Sequence, residues 1–136
     1  MAAKFHKAGG LVYEIAIKQS FSAAHALNEA GGTCEKLHGH NFTVEVFVSS
    51  HELNESGIVI DFRILKEWTD GVLKELDHKY LNEINFFKDF SSSSENIARF
   101  IYDRISERVT IHNLAVSKVT VWESEDARVT YNGKIQ

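Results

Sequence analysis

The sequence predicts an α+β fold, an antiparallel sheet with two helices gathered on one face, in the order β-β-α-α-β-β. Three observations lead there. Two early segments alternate apolar and polar residues with the period of a strand. Two middle segments space their apolar residues three and four apart, as a helix requires, and two final segments return to alternation about a short turn.

Residues 1–10, MAAKFHKAGG, read as a loose leader ending in a glycine pair. From Leu11 the odd positions Leu11, Tyr13, Ile15 and Ile17 alternate with Glu14, Ala16 and Lys18, predicting a first strand whose parity continues through Phe21, Ala23 and His25. A glycine-rich connection, Asn28–Thr33, carries the chain to Cys34. After His38, the residues Phe42, Val44, Val46 and Val48 share one face, opposite Asn41, Thr43, Glu45 and Ser49. Asp61 is placed to cap a helix whose stripe is Phe62, Leu65, Trp68, Val72 and Leu76. Ser92, with Glu95 three residues on, reads as a capping box for a second helix that buries Ile97, Phe100, Ile101 and Ile105. Strands over Val116–Ser124 and Ala127–Tyr131 close the chain around Glu125–Asp126. Without proline, the turns fall to Gly, Asn, Asp and Ser. No repeat or linker divides the chain, so a single domain over 1–136 is expected.

Composition narrows the function. Hydrophobic content of 43% and charged content of 25% are those of an ordinary globular protein, long enough at 136 residues to bury a core unaided. No apolar run reaches the length of a membrane span, and the N-terminus lacks a signal-peptide pattern. The single cysteine makes no intramolecular disulfide, so a cytoplasmic location is expected. A net charge of −4 argues against a broad nucleic-acid footprint while leaving room for a local cationic pocket around a phosphorylated small molecule.

His38-Gly39-His40, with Cys34 just upstream and His25 further back, puts three imidazoles and a thiol within sixteen residues. These side chains are the best zinc ligands. On a strand, His38 and His40 share a face, Gly39 keeps bulk from between them, and Phe42 continues the same face inward. His25 joins them if the two strands pair as a hairpin. One inward histidine is more often a satisfied core residue, but three at this geometry reverse those odds. A three-histidine set leaves a fourth position open, as catalytic zinc does. Cys34 has two readings. As a fourth ligand it would close a structural site; as a thiol beside a dication it would ionise near neutrality and act as a base. Spacing does not choose between them, although a domain of this size scarcely needs a metal staple.

Asp77-His78 follows the first helix directly. Such a pair is usually capping, but an Asp beside a His also sets its tautomer, which a cysteine base would use. Glu123 falls on the inward parity of Val119 and Val121; it is either an exposed residue near the strand end or a carboxylate awaiting a bidentate donor such as the amidine-like edge of a pterin or purine. His6, His51 and His112 are expected to be solvated and without a role.

The combination resembles a known family. Phe21-Ser22-Ala23-Ala24-His25, Cys34 to Asn41 (CEKLHGHN), Ile60-Asp61-Phe62, Leu76-Asp77-His78, Ser94-Glu95-Asn96 and Glu123 stand in the order found in the 6-pyruvoyl-tetrahydropterin and 6-carboxytetrahydropterin synthases, the likeness running from about Tyr13 to Tyr131. It implies the tunnelling fold, in which subunits assemble their sheets into a barrel, and a homohexamer with active sites between subunits. It implies 7,8-dihydroneopterin triphosphate as substrate, zinc held by His25, His38 and His40, Cys34 as base with Asp77 and His78 completing a relay, and Glu123 and Ser94 against the pterin ring. Three residues between Cys34 and His38 resemble the carboxytetrahydropterin synthases of the queuosine pathway. Glu35 adds a likeness to the variant that cleaves the side chain to 6-hydroxymethyl-dihydropterin for folate, so a dual activity is a second expectation; a solvated loop carboxylate is the bland one. The serine run Ser91–Ser94 departs from the Pro/Thr version usual before that helix. The non-enzyme alternative is a zinc-stapled pterin-binding oligomer.

Overall fold

Alternation in the first two segments resolves into a long antiparallel hairpin, β1 (Tyr13–His25) against β2 (His38–Ser50), paired from Tyr13↔Ser50 to His25↔His38. The computed structural model describes residues 12–27 and 37–133; Leu11, the glycine-rich connection, Cys34 and Glu35 lie outside them. Helix α1 (Phe62–Leu73) follows, then a two-residue strand β3 (Lys79–Tyr80), a short helix α2 (Phe86–Asp89) and the long helix α3 (Ser94–Val109). Strands β4 (Ala115–Ser124) and β5 (Ala127–Tyr131) close the sheet in the order β3-β1-β2-β4-β5. The α+β architecture is the predicted one, with β3 and α2 added between the two main helices. Neither is long enough to leave a periodic signature. β3 is moreover parallel to β1, pairing Ala23↔Lys79 and Ala24↔Tyr80.

The core lies between the sheet and the helices. Ile17, Phe21, Phe42, Val44, Val46 and Val48 face Leu65, Leu73, Ile97, Ile101, Ile105 and Val109, all buried. Each such side chain contributes roughly 1.5–3 kcal/mol through removal from water. On β4 both Val116 and Val119 are buried, an odd spacing for a strand; a bulge opposite Phe47/Val48 inserts Ser117 and shifts the parity.

Two details differ from the sequence reading. The side chains α1 buries are Leu65, Thr69 and Leu73, with Leu76 buried just beyond its end, whereas Phe62 stays exposed. Asp61 caps this helix as expected, accepting from the Arg63 N–H at 2.8 Å. The cap of α3 is Ser93, whose hydroxyl accepts from the Asn96 N–H, and not Ser92. Ser92 is completely buried and bonded elsewhere. No described helix is long and apolar enough to cross a membrane.

Candidate metal centre

The hairpin register brings the histidines together. His25 stands directly opposite His38, and Ala23 opposite His40, so all three imidazoles rise from one face at the end of the core. Phe42 forms the floor, edge-on to His25 and His40 at 5.6 and 5.5 Å between ring centres and stacked on Phe21 at 5.0 Å. Gly39 contributes less than its sequence position suggests, because a Cβ there would meet only the Ala23 carbonyl at 3.8 Å.

His25 is fully buried, and its Nδ1 lies 2.6 Å from the Ser92 carbonyl oxygen. A carbonyl only accepts, so Nδ1 carries the proton and Nε2 turns a lone pair toward the other histidines. That Nε2 lies 3.1 Å from Nε2 of His38. Ser92 is itself fixed: its hydroxyl donates to Asn82 Oδ1 at 2.9 Å, with the Ala26 carbonyl at 3.2 Å. The Asn82 amide pairs with Ala26 through both its groups, accepting from the N–H at 3.0 Å and donating to the carbonyl at 2.8 Å. One side chain thus continues the β1 ladder past its last paired residue.

Glu123 arrives from the far side. Between Trp122↔Arg128 and Ser124↔Ala127 it is the extra residue of a bulge on β4. Bulges re-aim side chains, and this one delivers Oε1 to 3.3 Å from His25 Nε2 and 3.6 Å from His40 Nε2. The donor atoms of His25, His38, His40 and Glu123 all lie within 4.8 Å of one another. Glu123 also lines a cavity of 230 Å³ with Leu27, Ser94, Val121 and Arg128. In its wall the Ser94 hydroxyl is buried without a hydrogen-bond partner.

Asp77 and His78 hang on the outer edge of β1. Asp77 Oδ1 accepts from the Ser22 N–H at 2.9 Å while Oδ2 lies 3.0 Å from His78 Nδ1. The His78 N–H donates to the Ser22 carbonyl at 2.6 Å, and His78 adopts a φ of 59°, left-handed backbone that a histidine rarely enters. The Ser22 N–H holds the Asp77 carboxyl below its ordinary range, with His78 adding to the effect against partial desolvation. The imidazole of His78 is 81% exposed, turned to solvent beside a groove lined by Ser22, Gly39, Asn41, Lys79 and Tyr80. Among the described residues the hairpin therefore carries two separate groups, the histidine–glutamate cluster on its inner face and the Asp77–His78 pair on its edge.

A family model described as 6-pyruvoyl tetrahydropterin synthase matches residues 14–134. The chain belongs to that family. It is 38% identical to a dihydroneopterin monophosphate aldolase of Pyrococcus furiosus over 82% of this chain and 90% of the relative. It is 40% identical to a putative 6-carboxy-5,6,7,8-tetrahydropterin synthase of Archaeoglobus fulgidus, over 82% and 89%. Among solved structures it resembles the 6-pyruvoyl tetrahydropterin synthase of Caenorhabditis elegans, with a TM-score of 0.80 and 29% identity across 92% of this chain and 98% of that one. The tunnelling fold of these synthases is the fold of this chain.

The zinc that the family resemblance implies fits the donors present. Imidazole nitrogen and carboxylate oxygen are zinc ligands, and a tetrahedral ion with bonds near 2.0–2.1 Å separates its donors by about 3.3 Å. The separations of 3.1, 3.3 and 3.6 Å bracket that value. Ser92 and Asn82 were not singled out from the sequence as supports of the site. For Ser92 the sequence signal is ambiguous, since a serine three residues before a glutamate looks like a cap wherever its hydroxyl points. For Asn82 the sequence offers no cue, because its partner Ala26 is 56 residues away.

Proposed function

We propose that this pterin synthase family member is a zinc-dependent 6-carboxy-5,6,7,8-tetrahydropterin synthase, acting on 7,8-dihydroneopterin triphosphate and releasing triphosphate and acetaldehyde. The reaction would serve queuosine (7-deazapurine) synthesis in the cytoplasm. The observation that carries the reading is the convergence of three imidazoles on a carboxylate beside a cavity. Relatives named as 6-carboxytetrahydropterin synthases, including those of Archaeoglobus fulgidus and Synechocystis, support the product assigned.

His25, His38 and His40 would hold the zinc, which when bound polarises the side-chain hydroxyls of the substrate and acidifies the carbons bearing them. Cys34, four residues before His38 in sequence, is the base that takes a proton from such a carbon. Asp77 fixes the tautomer of His78 through Nδ1, leaving Nε2 to exchange protons with the thiol. In the homohexamer that the family likeness implies, the relay is shared between neighbouring chains. Glu123 accepts the donor pair of the pterin ring, and Ser94, whose buried hydroxyl is unpartnered, adds a contact to it.

A second reading has its own support. The Pyrococcus furiosus relative is named an aldolase, and a solved Plasmodium vivax 6-pyruvoyltetrahydropterin synthase, 27% identical with a TM-score of 0.72, is described as a variant of a catalytic glutamate. In that reading Glu35 directs cleavage of the side chain to 6-hydroxymethyl-dihydropterin. Incubation of the purified protein with the triphosphate, followed by mass spectrometry, decides. Carboxytetrahydropterin is the expected product; both products together mean dual activity, hydroxymethyl-dihydropterin alone overturns the leading reading, and binding without turnover favours the zinc-stapled binder. Cys34→Ala is expected to retain zinc and lose turnover by at least two orders of magnitude, as removal of a general base does. Loss of zinc in that variant would instead make the thiol a ligand.

A further inference from the structure

Resting on the pterin triphosphate reading above, we infer that the groove beside His78 seats the triphosphate of the substrate, with the Lys79 ammonium and the Asn41 amide as its principal donors. The groove encloses 450 Å³, within the range of small-ligand sites, about 300–1,000 Å³. Its floor is a cross-strand row of small residues, Ala24 opposite Gly39, with Tyr80 paired beside Ala24. The next row on the same face of the hairpin is Ser22 opposite Asn41. No carboxylate lines this groove, although the chain carries a net charge of −4.

Hydrogen bonding decides which groups remain for a ligand. The Ser22 hydroxyl donates to Asn41 Oδ1 at 2.5 Å, so the acceptor end of the carboxamide is occupied and its two N–H donors are left over. Among the described residues Lys79 has no carboxylate partner, whereas Asp61 holds Arg63 and Glu75 holds Arg104. The nearby Asp77 carboxylate is taken by the Ser22 N–H and by His78 Nδ1, and it lines a different cavity. An ammonium, a carboxamide and the Tyr80 phenol are therefore the polar groups on offer. They are donors, and donors are what phosphate oxygens require.

Position assigns the anion. In the proposed reaction the relay acts on side-chain carbons beside the one that carries the triphosphate, so the phosphates lie close to His78, and Lys79 is its neighbour in sequence. The cavity next to Glu123 is the wrong place for them. It sets Arg128 against Glu95 and Glu123, an excess of negative charge that repels a polyanion. The substrate is thus divided by charge, its tail held at the hairpin edge away from the carboxylates. Whichever chain's site the relay serves, the groove goes with it, because His78 stands beside it on the same edge.

The test measures binding of tripolyphosphate, and separately of inorganic phosphate, to the zinc-loaded protein by equilibrium dialysis. 7,8-Dihydroneopterin, which lacks phosphate, probes the ring alone. Lys79→Met is expected to weaken tripolyphosphate binding on the order of tenfold, the effect of losing one charge-assisted hydrogen bond. Its zinc content, circular dichroism and dihydroneopterin binding should match the wild type. Lys79→Arg should restore most of the affinity, and added salt should weaken the wild type more than Lys79→Met. Equal tripolyphosphate binding by the wild type and Lys79→Met would place the ion elsewhere, on the zinc for instance, and overturn the groove. Absence of tripolyphosphate binding by the wild type would overturn it too, while dihydroneopterin binding would leave the synthase reading standing. Equal affinity for phosphate and tripolyphosphate would mean an adventitious ion only. Failure of dihydroneopterin to bind, with tripolyphosphate still held through Lys79, would overturn the pterin reading and leave a polyphosphate site.

Discussion

At the scale of single residues, neighbouring serines do different work. Ser92 supports the ring of His25 through its carbonyl and locks Asn82 through its hydroxyl, whereas Ser93 only caps α3. Ser92→Ala keeps that carbonyl but removes the hydroxyl that ties it to Asn82 and Ala26, so it is expected to cost about 1 kcal/mol of stability and, by loosening the carbonyl's position, to weaken zinc binding, read by thermal melts and chelator competition. Asp77 makes a different prediction. Its carboxyl is held below the ordinary range chiefly by the Ser22 N–H, so its contribution to stability is full above the unfolded value near 3.9 and is lost as pH falls through the lower folded value. Thermal melts of wild type and Asp77→Asn should show the wild type losing more stability between pH 6 and pH 2; parallel losses would refute the link. The histidines were legible because strand parity is a property of the chain alone, and so was the inward turn of Glu123. Its proximity to His25 was not, since that depends on how β2 carries β4 into register with β1.

At the scale of elements, local signals decided most of the outcome. Both long strands of the hairpin, the Asp61 cap and the buried face of α3 follow from side-chain spacing and capping chemistry that act within one turn or one pleat. Elements of two to four residues did not show themselves. β3 exists because the edge of β1 offers Ser22 to Ala24 for pairing, a tertiary cause without local pattern. The one misassigned cap, Ser92 for Ser93, reflects a serine run in which every hydroxyl is a candidate and only packing selects. Ser93→Ala should lower stability by about 1 kcal/mol while zinc affinity stays at the wild-type value. A fall in zinc affinity equal to that of Ser92→Ala would mean that the loop acts as one unit.

At the scale of the whole molecule, the sheet is open on both sides. β3 covers two residues of β1, and β5 is the last strand in the order, so most of the outer edge of β1 is left unpaired within the chain among the described residues. Long bare edges are a liability unless something pairs with them. The homohexamer expected from the family resemblance would supply that pairing, and sedimentation equilibrium should then give six times the 15.4 kDa chain mass. A monomer would remove the shared relay from the mechanism and require Asp77 and His78 to serve the site of their own chain. The bulge that holds Glu123 also bears on how such a scaffold changes over generations. Standing outside the ladders on either side, position 123 is not constrained by sheet pairing. New side chains can be tried there against the histidine cluster and the cavity while the strands stay in place, which makes it an evolvable point in an otherwise tightly registered sheet.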